Sequence, residues 1–215
     1  GHTLHLAKVL EDLFRTCFAD NYQTQLLGGA TEPLYRPRGE GSDQAMHQIF
    51  YRDDFFASAL HEIAHWCIAG ERRRLQLDFG YWYVPEGRSA ADQTRFLSVE
   101  VKPQAIELLF SLCADFPFRV SVDNFSESST QLAESFYRKV IEQALHYVER
   151  GLPVRAQIFC EALIAYYQPQ VQYSSSQRFL FAQLSVLQAN INADINSSYR
   201  DVQFTGSTKV FNKSV

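Results

Sequence analysis

The sequence lacks most of the features that announce a specialised class of protein. Cysteine is scarce and scattered: Cys17, Cys67, Cys113 and Cys160 stand about 45 to 50 residues apart with no CxxC pair. That spacing excludes a zinc finger or a disulfide scaffold, and each thiol sits among apolar neighbours on an expected helix, as a small buried hydrophobe does. Basic charge is not in excess. The net charge of −4 offers no general attraction for nucleic acid or an anionic membrane, so neither is expected as a partner. No apolar run approaches the roughly 18 to 20 residues that span a bilayer, and the first residues lack the basic-then-apolar layout of a secretory signal. A soluble, cytoplasmic protein is expected. The chain opens Gly1-His2 rather than with methionine, so its first residues read as an expression remnant, and neither His2 nor His5 is counted as functional. Internal repeats are absent.

What is present suits one folded core. Apolar residues make up 46% of 215 and aromatics 14%, enough for an aromatic-rich interior in a single domain. Residues 1–169 are expected to form that domain, and 170–215, rich in Ser, Asn and Gln, a polar C-terminal extension. Residues 4–18 place Leu6, Val9, Leu10, Leu13, Phe14 and Cys17 at helical spacing. Gly28-Gly29 closes that region, and Pro33, Pro37, Gly39 and Gly41 mark an irregular loop. The run from His47 to Tyr51 suits an edge strand. Asp53 or Asp54 is positioned to cap a helix over Phe56 to Cys67, ended by Gly70. Leu75 to Val84 reads as strand, closed by the turn signal Pro85-Glu86-Gly87. Ala90 to Cys113 reads as helix, kinked or divided at Pro103. Helices follow at Gln131 to Arg150 and Ala156 to Tyr167. Phe179 to Leu187 is expected to dock as a helix, and the chain beyond Asn190 to be a mobile tail.

The chemistry concentrates in His61-Glu62-Ile63-Ala64-His65, an HExxH pattern. Residues four apart on a helix share a face with Cβ atoms about 6 Å apart, so two imidazoles can grip one ion. An ion of the zinc or iron class takes nitrogen ligands at about 2.0 to 2.1 Å and needs a further protein ligand. The segment from Phe96 to Phe110 offers Glu100 and Glu107, seven residues apart on one face. Glu100 is favoured, because it lies in an inward-packing stretch where an unpaired carboxylate is costly. In zincin-like folds the third ligand comes from such a following helix, which is an analogy. Glu62 is rotated about 100° from His61, away from the ligand geometry. In a hydrolase it would be the general base acting on a metal-bound water; in an oxygenase it would be a supporting residue. His47 and His146 have no partner at metal-ligand spacing. The fold class implied is α+β: a helix-dominated, zincin-like core with a small β-sheet beside the metal-binding helix.

Longer strings sharpen this reading. HEIAHWCIAGERRRLQLDFGYWYVPEGR, from His61 to Arg88, and VEVKPQA, from Val99 to Ala105, closely resemble the elongation factor P hydroxylase family of bacterial proteins. The resemblance runs from the CFAD at Cys17 to Asp20 as far as about Tyr167, leaving the chain after Pro169 outside it. It implies a non-haem iron enzyme that uses O₂ to hydroxylate the lysine of elongation factor P that already carries a β-lysyl group. By motif position His61, His65 and Glu100 would hold Fe(II), leaving three octahedral positions open. No HxD motif is present, and a basic site for a 2-oxoglutarate co-substrate is not evident, though Arg88 or Arg95 would be the candidates. The competing readings are a zinc-dependent hydrolase with Glu62 as base and a non-catalytic module with a structural metal. Tyr81 and Tyr83 share one face of the expected strand, and with Asp78 or Glu86 they would suit a cationic lysyl substrate. Arg72, Arg73 and Arg74 either complement the dipole at the end of the HExxH helix or dock an acidic protein partner.

Overall fold

The computed structural model describes residues 3–41, 43–81, 89–122, 129–171 and 176–196. Helix α1 (Ala7–Tyr22) buries Leu10, Phe14 and Phe18, one every fourth residue, and ends where Gln23 turns left-handed at φ 48°. Strands β1 (Thr24–Ala30), β2 (Leu34–Arg36) and β3 (His47–Arg52) follow, then α2 (Phe56–Ile68) and two short 3₁₀ turns, Arg73–Leu75 and Leu77–Gly80. Four helices complete the described chain: α3 (Ala90–Cys113), α4 (Ser129–Arg150), α5 (Val154–Tyr167) and α6 (Ser176–Asn196). The class is α+β, dominated by helices, with one small sheet packed beside α2.

The sheet departs from expectation in three ways. Gly28-Gly29 does not close the first region; β1 runs through it, and a Cβ at Gly28 would lie 2.6 Å from the Tyr51 ring, so only glycine fits there. Strand β2 lies inside the segment expected to be an irregular loop. And β3 is the central strand, parallel to β1 and antiparallel to β2, rather than an edge. Its Ile49 and Tyr51 alternate into the core.

The turn into α2 also differs. The N-cap is Phe55 without a side-chain bond, whereas Asp53 sits left-handed at φ 46°, its N–H donating to the Ala30 carbonyl. The Ser58 hydroxyl accepts from the Arg52 N–H, tying β3 to the first turn of α2. At the other end the C-cap is Ala69, one residue before Gly70.

Residues 75–80 are not strand. Asp78 and Phe79 are left-handed, at φ 49° and 59°, which extended pairing forbids. The reason is tertiary: the Asp78 carboxylate accepts from the Tyr35 N–H at 2.9 Å, and the Phe79 ring stacks on Tyr35 at 4.2 Å. The remainder of the expected strand, 82–84, and the turn at 85–87 lie outside the described residues.

Helix α3 has the expected bounds and runs unbroken through Pro103. The donor that proline lacks would have served the carbonyl of Val99, which lies on the solvent side. Around α3 the interior is aromatic: Trp66 of α2 meets Phe14, Phe18 and Tyr22 edge-on, and Phe159 of α5 meets Phe110. Helix α6 packs on α4 and α3 through Leu180 and Leu184. It continues to Asn196 with Ile191 buried, so the chain just beyond Asn190 is helix and not tail. The four cysteines are free, three of them fully buried.

Candidate metal centre

Helix α2 has almost no solvent face. Its apolar residues pack all round, so His61 and His65 are carried inward by the same stripe as Leu60 and Ala64. Opposite lies α3, and the pairing of His61 with Glu107 and of His65 with Glu100 makes the two helices antiparallel. The donors converge. The two imidazole Nε2 atoms face each other at 3.0 Å, and the Glu100 carboxylate meets His65 Nε2 at 3.2 Å and His61 Nε2 at 3.7 Å. One donor atom from each of the three residues lies within 4.8 Å of the other two. Ligands at about 2.0 to 2.1 Å from one ion stand roughly 2.9 to 3.4 Å apart in octahedral or tetrahedral geometry, so the 3.0 and 3.2 Å separations suit a shared cation and the 3.7 Å one exceeds that range by a few tenths of an ångström.

Burial strengthens the case. Glu100 is 4% exposed and Glu107 is 7% exposed. Carboxylates at this depth are costly unless they are paired or coordinated, and a cation held between them and the imidazoles would offset that cost.

Glu107 stands outside the group of three. Its carboxylate pairs with Nδ1 of His61, on the far side of the ring from Glu100. With Nδ1–H directed at a carboxylate, the lone pair of His61 is left on Nε2, where the other two donors are. Gln104 has a similar supporting role: its amide nitrogen reaches Glu100 at 3.4 Å while donating to the Ser121 carbonyl, and its oxygen accepts from the Ser121 N–H. Sequence reading missed Gln104, and missed Glu107 in this role. The only available signal was their position on the face of α3 that carries Glu100.

Arg155 was missed entirely. It is buried in α5, donates to the carbonyls of Trp66, Cys67 and Ala69, and lies over the Trp66 ring at 4.5 Å. It thereby satisfies the open C-terminal carbonyls of the helix that carries both histidines. Arg74 adds a bond to the Ala69 carbonyl, so it complements the end of α2. Arg73 donates to the Phe79 carbonyl and covers the Tyr81 ring at 4.4 Å, while Arg72 is exposed.

Glu62 is half-buried and outside the group of three. Asp78 stands close enough to feel both Glu62 and His65. Burial pushes its carboxyl up, and Glu62 adds to that, while the Tyr35 N–H and His65 act the other way. Tyr81 is half-buried against the core. Tyr83, Glu86 and Arg88 lie outside the described residues, and Arg95 is exposed on α3. A pocket of about 430 Å³ opens between the start of α2 and α3, floored by His61 and Glu107 and walled by Phe55, Phe56 and Phe116. His146 is exposed. His47 accepts the Arg38 N–H, and His5 contacts the Ala114 carbonyl at 2.7 Å.

Comparison with known proteins identifies the family. The family described as elongation factor P hydroxylase matches residues 13–179, ten residues past the expected limit of the resemblance at Pro169 and into the start of α6. A protein of Haemophilus influenzae named elongation factor P lysine hydroxylase is 42% identical over 164 residues, covering 75% of this chain and 90% of that protein.

Proposed function

The chain belongs to the elongation factor P hydroxylase family, and on that premise we propose that it hydroxylates the β-lysylated lysine of bacterial elongation factor P with an Fe(II) centre and O₂. The observation that carries the reading is the convergence of His61, His65 and Glu100 on one point inside a buried seam. An HExxH helix meeting a glutamate from a following helix beside a small sheet is zincin-like by analogy. Iron held by two imidazoles and one carboxylate would supply oxygen activation, with positions left open for reactants.

The chain's own residues do the rest. Glu107 keeps the His61 lone pair on Nε2, and Gln104 holds the Glu100 carboxylate in place. The apolar walls of α2 and α3 exclude water from the donors. Glu62, about 100° round α2 from His61, would hold or move a proton beside the centre without coordinating. Asp78 makes the rim acidic next to Glu62, which suits the ammonium group of a lysyl arm, and the Tyr81 ring adds an aromatic surface. Arg72 and Arg73 are both exposed, and of the two Arg72 is the better placed to steer an acidic partner, because Arg73 already binds the Phe79 carbonyl. No helix among the described residues is long and apolar enough to cross a membrane, and a translation factor as substrate supports the reading of a cytoplasmic enzyme.

The test is a mass measurement on β-lysylated elongation factor P incubated with the chain, Fe(II) and air. Gain of one oxygen atom is expected, with the gain lost in His61→Ala and Glu100→Ala. No gain with any divalent metal, or hydrolysis supported by zinc alone and abolished in Glu62→Gln, would overturn the reading.

A further inference from the structure

Helix α3 buries one more polar side chain on the face that carries its two glutamates. Gln93 is 8% exposed, and neither its amide nitrogen nor its amide oxygen has a hydrogen-bond partner. Buried side-chain amides are nearly always paired, so an orphan with both ends open marks a site where something else completes the pairing.

Position tells what that is. Gln93, Glu100 and Glu107 are each seven residues apart, so they stand in line along α3. Gln93 is two turns, roughly 10.5 Å along the axis, from the glutamate at the centre. A substrate segment reaching the centre from that end of α3 would pass Gln93 on its way to Glu100. The same helix already shows how such a glutamine is satisfied. Gln104 donates to the carbonyl of Ser121 at 2.9 Å and accepts from the N–H of that residue at 3.0 Å, clasping one residue of extended chain with both ends of its amide.

We propose that Gln93 is an amide-recognition subsite, whose side-chain carboxamide pairs donor to acceptor and acceptor to donor with an amide of the substrate's lysine-bearing segment. The inference rests on the hydroxylase reading above. Two amides share the required chemistry: a main-chain peptide beside the target lysine, and the bond that joins the β-lysyl group to it. In the free chain the unpaired amide costs stability, and in the complex its two hydrogen bonds add affinity. The subsite therefore couples the two quantities with opposite signs.

Gln93→Leu and Gln93→Met, which keep the volume and remove the amide, test this on the metal-free chain. Both variants should melt about 2–4 °C higher than wild type. Both should bind elongation factor P about 10- to 100-fold more weakly by calorimetry. Equal loss on the unmodified and β-lysylated factor identifies the main-chain amide, and loss confined to the β-lysylated form identifies the side-chain amide. A lower melting temperature in both variants, or an unchanged Kd for both forms of the factor, overturns the proposal. If wild type neither binds nor hydroxylates the factor, the functional reading itself fails; if it does both and the variants bind as it does, only the subsite fails.

Discussion

Helices α2 and α4 both pack on α3, and they handle polar side chains in opposite ways. Helix α4 is amphipathic: Ala133, Phe136, Tyr137, Val140, Ile141, Ala144 and Val148 face inward at helical spacing, while Lys139 and Glu142 face water. Its exposed charged groups need nothing from the protein. Helix α2 has ten of its thirteen residues buried, so its histidines and its terminal carbonyls must find partners inside. They find Glu100, Glu107 and Arg155, all from other helices. A helix with no water-facing side can carry chemistry only when its neighbours supply the counter-groups, and those neighbours then matter as much as the motif.

That contrast can be broken at several points. The largest effect is expected from Arg155→Met, which would leave carbonyls at the end of α2 unsatisfied at about 1–3 kcal/mol each and lower unfolding stability by about 3–5 kcal/mol. Chemical denaturation measures it, and a loss below about 1 kcal/mol would mean that α2 does not depend on its cap. Next is Glu107→Gln, where weaker orientation of the His61 ring should reduce divalent-metal affinity about 10- to 100-fold in chelator competition. Unchanged affinity would show that Glu107 is packing rather than support. On α4 the opposite is expected: Lys139→Ala and Glu142→Ala should each change stability by no more than about 0.5 kcal/mol.

The smallest effect concerns pH. His47, on the sheet, is held below the ordinary imidazole range near 6.5, by burial first and then by Arg38 and Arg74. The neutral ring belongs to the folded state, because Nδ1 accepts the Arg38 N–H. The unfolded chain therefore takes up this proton first as pH falls. The contribution of His47 is complete above about pH 6.5 and declines below it, down through the lowered folded value. In His47→Gln the melting temperature should fall less steeply than in wild type over that acid window, and parallel profiles would exclude the ring as a contributor.

Legibility in the sequence follows the range of the interactions. Helices α3 and α5 and the inward face of α1 were readable because their periodicity is local. Strand β1 was not, since Gly28-Gly29 carries a turn signal and only a parallel partner some twenty residues away makes it a strand. The aromatic stretch after α2 has strand-forming residues, yet Asp78 and Phe79 are bent into a turn by Tyr35, more than forty residues away in the chain. Arg155 was invisible because its target carbonyls lie 86 to 89 positions away.

What the sequence determined by itself is the pair of imidazoles, because two residues four apart on a helix share a face whatever surrounds them. It also narrowed the third donor to two glutamates on one face of α3. Sequence favoured Glu100, and the tertiary structure groups it with the two imidazoles while Glu107 meets Nδ1 of His61. The antiparallel register of α2 against α3 sets Glu100 before both Nε2 atoms and Glu107 behind the His61 ring. That register is a property of how two helices pack, which no spacing within either one encodes.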